Sequence, residues 1–148
     1  MHREADWPVQ PGSYALLLTI RAPLRFKAGR RGEIVLPAGR YAYTGTARAM
    51  GGLRSRLARH MRSEKRTYWH IDYLTQYAIV SAVYWQVTTE SLECRWAQAL
   101  LQLPGASAPA RGFGNSDCHA GCPAHLIRLP DDFTAEKLKD LLDAGQKP

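Results

Sequence analysis

Long apolar runs are missing from this 148-residue sequence, and no window approaches the roughly 18 apolar residues that a membrane-spanning helix requires. A helical membrane protein is therefore excluded. Residues Met1 to Gln10 are polar, carry Glu4 and Asp6, and hold no apolar run ahead of a small-residue cleavage site. No secretory leader is expected, and the cytoplasm is the expected compartment. Cysteine is scarce: the three present are an odd count, read as reduced thiols and not as a disulfide scaffold. Internal repeats and long linkers are also lacking. The length suits one α+β domain over residues 1–148, with a core at about 12–129 and a C-terminal helix at about 134–143.

Basic charge is what the sequence has in excess. Lys and Arg number 20 against 13 acids, a net charge of +7. Met1 to Arg66 carries 14 basic and 4 acidic residues, whereas Thr67 to Pro148 carries 6 basic and 9 acidic ones. A basic front half suggests a polyanion held on one side, although a solvated Arg-rich surface produces the same imbalance.

Ser13 to Ile20 is a compact apolar run ended by Pro23, which reads as a buried strand. Gly29 to Gly32 is a predicted turn, Glu33 to Leu36 a short strand, and Arg40 to Thr44 a third strand with Tyr41 and Tyr43 on one face. Short turns between these strands favour an antiparallel arrangement. A helix is predicted at about Leu53 to Arg62, with Leu53, Leu57 and Met61 as its apolar stripe. Tyr68 to Tyr77 reads as a short helix and Ile79 to Val87 as a strand. Thr88 or Thr89 is the expected cap of a helix at about Glu90 to Leu103, burying Leu92, Trp96, Ala99 and Leu103. His125 to Leu129 is a predicted last strand, and Thr134 to Leu142 a capped amphipathic helix.

If the first and third strands lie antiparallel, Tyr14 and Tyr43 share one edge of the sheet. The following helix adds Arg56 and His60, an i,i+4 pair flanking the apolar stripe at the rim of the core. The ordered set Gly12-x-Tyr14, Tyr43-x-Gly45-Thr46-Ala47 and Arg56-Leu57-Ala58-Arg59-His60 resembles the GIY-YIG nuclease superfamily. Further features resemble an uncharacterised branch of it: Tyr68 to Leu74, Glu93-Cys94, Phe113 to Cys118 and His125-Leu126, so that the likeness covers roughly residues 12 to 129. The resemblance implies metal-assisted hydrolysis of phosphodiesters in DNA. It makes Glu93 the ligand of one Mg2+ or Mn2+ ion, which suits a single carboxylate plus waters. Arg56 becomes the phosphate contact, and Tyr14 and Tyr43 the pair that activates or orients water. A phenol with its ordinary pKa near 10 is a poor base at neutral pH. Either charge nearby must depress it, or His60 must take the proton.

This sequence departs from the signature at Ser13 and Thr44, where isoleucines are expected. Their polarity suggests a solvated face of the strands. The late asparagine of the superfamily has Asn115 as a candidate. Backbone phosphates are expected to meet Arg40, Arg48, Arg54, Arg59 and Arg62, with low sequence specificity.

Plainer roles are open to the same residues. The tyrosines suit packing, the arginines a solvated basic face, Glu93 a helix dipole, and His70 with Asp72 the buttress of a turn. A second constellation, Cys118-x3-Cys122-x2-His125 with Cys94, has the ligand types of a structural zinc site, Asp117 and His119 being substitutes; small buried thiols are its plainer reading. Two further function classes stay open: a non-catalytic nucleic-acid-binding module with the same fold, and a thiol- or zinc-based redox protein.

Overall fold

A computed structural model describes residues 6–27, 32–62, 70–110, 113 and 124–144. In chain order the elements are β1 (Gly12–Ile20), β2 (Leu24–Lys27), β3 (Glu33–Leu36), β4 (Gly39–Ala47), α1 (Gly52–Met61), α2 (His70–Thr75), β5 (Ile79–Val87), α3 (Glu93–Leu101), β6 (Leu126–Leu129) and α4 (Ala135–Ala144). The fold is α+β. Strands β5, β1, β4 and β6 form one antiparallel sheet in that order, and β2 pairs with β3 in a separate hairpin.

The apolar run of β1 is continuous because the strand is central and covered on both faces. Tyr14, Leu16, Leu18 and Ile20 face one way, against Leu53 and Leu57 of α1 and Ile71 and Leu74 of α2. Ala15 and Leu17 face the other way, against Trp96 and Leu100 of α3 and Leu138 and Leu142 of α4. Strand β5 lies at the sheet edge, and its residues alternate between exposed and partly buried along most of its length. Thr134 caps α4 as expected, its Oγ1 accepting the Lys137 N–H at 3.2 Å.

Several boundaries differ from the sequence expectations. Strand β2 was not anticipated: it is four residues long, follows Pro23 and is only partly covered. Met61 is exposed, and Ala58 with His60 completes the buried face of α1. The predicted helix from Glu90 begins only at Glu93, and Thr88 instead accepts the Glu90 N–H in a local turn. Leu92 and Trp96 are buried as expected, Ala97 and Leu100 complete the buried face, Leu103 packs against it half-buried, and Ala99 is only partly buried. The turn expected at Gly29 to Gly32 lies largely outside the described residues, as does the start of the helix expected from Tyr68. Among the described residues no helix is long and apolar enough to cross a membrane.

Candidate functional site

Antiparallel pairing of β1 with β4 sets Tyr14 opposite Gly45 and Leu16 opposite Tyr43. Both phenols therefore rise from the face that α1 covers, with ring centroids 6.5 Å apart. The glycines beside them have steric reasons. A Cβ on Gly45 would lie 2.4 Å from Tyr14 Oη, because the ring crosses directly over this residue. One on Gly12 would lie 2.3 Å from the Gln86 carbonyl oxygen and 2.6 Å from Leu53 Cδ1, blocking the approach of α1 to the sheet.

Helix α1 then delivers His60. Its Nε2 lies 2.7 Å from Tyr14 Oη, and its ring meets Tyr43 edge-on at a centroid distance of 6.1 Å. His60 is buried, deeper than the core rim expected from the sequence. Phe113, the first residue of the 113–118 segment singled out in the sequence, packs edge-on against Tyr43, a contact that the sequence pattern alone does not specify. Arg56, one helical turn before His60, is partly exposed and donates from Nη1 to the Thr46 carbonyl at 3.3 Å.

Glu93 comes from the opposite face. It is the first residue of α3, partly buried, and Thr46 Oγ1 donates to its Oε2 in a close hydrogen bond. Thr46 thus touches both charged groups at the sheet end, its carbonyl on Arg56 and its hydroxyl on Glu93. The solvated face expected at Ser13 and Thr44 is absent: both are fully buried. Their hydroxyls bond backbone groups at the start of α3, Ser13 accepting the Leu92 N–H at 3.0 Å and Thr44 donating to the Glu93 carbonyl at 2.8 Å.

The phenols are not depressed. Burial pushes Tyr14 up to about 12, and the charge and hydrogen bond of Arg56 pull against that shift without reversing it. Burial likewise raises Tyr43 well above its ordinary value. Both are neutral at neutral pH, and His60 Nε2 is the ring nitrogen within hydrogen-bond reach of Tyr14 Oη. A pH dependence of stability follows. Between about pH 10 and 12 the unfolded chain releases a Tyr14 proton that the folded chain keeps, so stability is lost as pH rises through that window. Urea unfolding should show a plateau below pH 10 and then a fall that is shallower in Tyr14→Phe; equal slopes in the two proteins would remove Tyr14 from this account.

The expected phosphate-binding arginines separate into groups. Arg48, just beyond β4, and Arg62, at the end of α1, are exposed. Arg54 donates from Nε to the Trp7 carbonyl at 2.7 Å and fastens the N-terminal segment. Arg59 pairs with the buried Asp72 of α2 at 2.8 Å. Arg40 stands near the opposite end of β4, about 17 Å along the strand from Gly45 at roughly 3.3 Å per residue. Asp72 is fully buried, and through Arg59 it joins α2 to α1.

Two expectations about cysteine change. Cys94 is disulfide-bonded, so it is neither a reduced thiol nor a thiolate available to zinc. Cys118 and Cys122 lie outside the described residues, with Asn115, Asp117 and His119. His125 is buried, and its backbone bonds Thr44 and Phe113. Among the described residues no three His, Cys, Asp or Glu side chains gather as a metal cage. A single carboxylate with a neighbouring hydroxyl still fits a magnesium ion, which keeps most of its waters and is commonly held by one or two carboxylates plus substrate oxygens.

Comparison with known proteins finds one family model, described as a domain of unknown function, DUF123, matching residues 13–146. No curated protein and no solved structure matches the chain.

Proposed function

The chain belongs to the DUF123 family, and within it we propose a divalent-metal-dependent endonuclease that hydrolyses DNA phosphodiesters with low intrinsic sequence specificity. The observation that carries this reading is the meeting of Arg56, Glu93 and the Tyr14–His60 pair at one end of the sheet. That is the residue set on which the chain resembles GIY-YIG nucleases. Arg56 and Glu93 are its partly exposed members and meet the substrate. The Arg56 guanidinium contacts the scissile phosphate and neutralises charge that grows in the transition state. Glu93 would hold Mg2+ or Mn2+, which would supply Lewis acidity to that neutralisation. Tyr14 Oη orients the attacking water and takes its proton while passing its own to His60 Nε2. Exposed Arg48 and Arg62 bind backbone phosphates on either side, a contact that carries no base information.

The burial of Tyr14 and His60 favours a second reading, a nucleic-acid-binding module without catalysis. The readings part on one experiment, in which end-labelled single-stranded, duplex and branched DNA is incubated with Mg2+, with Mn2+ or with chelator. The nuclease should cut only with metal, and Arg56→Ala should lower the rate on the order of 10²- to 10³-fold, as for loss of one preorganised donor. Salt-sensitive binding without cuts would establish the module instead.

A further inference from the structure

The start of α3 has no side-chain cap of its own: its N-cap residue is Leu92, and nothing local bonds the first turn through a side chain. What holds it comes from the sheet. We infer that Ser13, Thr44 and Thr46 are positioning residues, a hydroxyl clamp that aligns the Glu93 carboxylate with Arg56. Ser13 and Thr44 set the backbone of the helix start, and Thr46 sets the carboxylate. The catalytic consequence rests on the nuclease reading; the clamp itself does not.

Proton counting gives the clamp a direction. A hydroxyl has one hydrogen to donate. Thr46 gives its hydrogen to Glu93 Oε2, so in the 3.2 Å contact between the two hydroxyls Ser13 is the donor. Ser13 shares that hydrogen with the Glu90 carbonyl at 3.3 Å while accepting the Leu92 N–H at 3.0 Å. Each donor in the series Leu92 N–H, Ser13 O–H, Thr46 O–H therefore points toward the carboxylate, and bonds so aligned polarise one another. Thr44 completes the grip by donating to the Glu93 carbonyl at 2.8 Å. Ser13 and Thr46 are direct cross-strand partners, and with Thr44 they lie on the sheet face that α3 covers. Threonine is stiff at χ1, so its hydroxyl is aimed before any ligand arrives. Isoleucine at positions 13 and 44 would offer no hydroxyl to these backbone groups, which gives the two departures from the GIY-YIG signature a common purpose.

The test uses the full chain with Thr46→Val, Thr46→Ser, Ser13→Ala and Thr44→Val. Mn2+ affinity is measured by electron paramagnetic resonance without DNA, beside kcat and KM for cleavage. Thr46→Val should lower Mn2+ affinity and kcat about 10- to 100-fold, the usual effect of losing a partner that orients a metal ligand. KM for DNA should stay within about twofold, because Thr46 orients Glu93 and does not itself bind DNA. Thr46→Ser keeps the hydroxyl and should recover most of the loss. Wild-type behaviour in Thr46→Val, or equal damage in Thr46→Ser, would overturn the clamp. If the native protein neither cuts DNA nor binds Mn2+, the nuclease reading fails by itself. The clamp is then decided by amide exchange at Leu92, which Ser13→Ala should accelerate roughly tenfold or more, whereas unchanged exchange would overturn it.

Discussion

Glu93→Gln is expected to reduce DNA cleavage at least about a thousandfold, since removing about 4 kcal/mol of transition-state stabilisation costs that much. Glutamine keeps the shape of the side chain and can still accept the Thr46 hydrogen bond, so the fold and the start of α3 should be retained. What disappears is the negative charge, and with it the carboxylate that the nuclease reading offers to a hard cation. DNA affinity should remain within about twofold, because phosphate binding depends on the basic side chains and not on this acid. Single-turnover cleavage beside a binding titration separates the two quantities. A Glu93→Gln protein that cuts as fast as the native one would sink the nuclease reading, and a loss of binding equal to the loss of rate would show that the acid supports structure alone.

The second large effect belongs to stability. Asp72→Ala should destabilise the fold by about 3 kcal/mol, near the lower end of what breaking a buried ion pair costs. Asp72 is 0% exposed while its partner Arg59 is 26% exposed, so the stranded guanidinium regains part of its hydration. The pair crosses from α1 to α2, the two helices packed over the tyrosine face of the sheet. Urea unfolding of Asp72→Ala, Arg59→Ala and the double variant measures the coupling. Strict additivity would mean that the carboxylate stabilises α2 by another route. The pair Arg25–Glu33, exposed on both sides, should by contrast be nearly silent on removal.

Elements defined by local pattern were legible in the sequence. Strand β5 runs from Ile79 to Val87 as expected, and β1 follows from an apolar run bounded by glycine and proline. The meeting of Tyr14 and Tyr43 followed from strand direction, and the arrival of His60 from helical spacing. What stayed hidden depends on partners distant in the chain. The hydroxyl that holds the start of α3 is that of Ser13, 79 residues before Leu92, so the local pattern points to Thr88 or Thr89 and to a helix that begins three residues early. Polarity at Ser13 and Thr44 looked like solvent exposure because nothing nearby reveals that each hydroxyl meets a backbone group across the sheet. The depth of His60 was hidden similarly, since its ring lies against Tyr14 and Tyr43, which the sheet brings from 46 and 17 residues earlier in the chain.

The central place of β1 also constrains how the chain acquires its shape during synthesis. This strand is translated ahead of both its neighbours, one of which ends at Ala47 and the other only at Val87. Strand β4 must wait longer still, for Leu126 to Leu129. An apolar segment that other strands and helices will enclose is thus translated well before most of its cover exists. Loop closures of this length must be completed before they are rewarded, which slows folding and lengthens the period in which the nascent segment can associate wrongly. A truncation ending before Ile79 would leave β1 with one open side, so its pairing is complete only after Val87 has been translated.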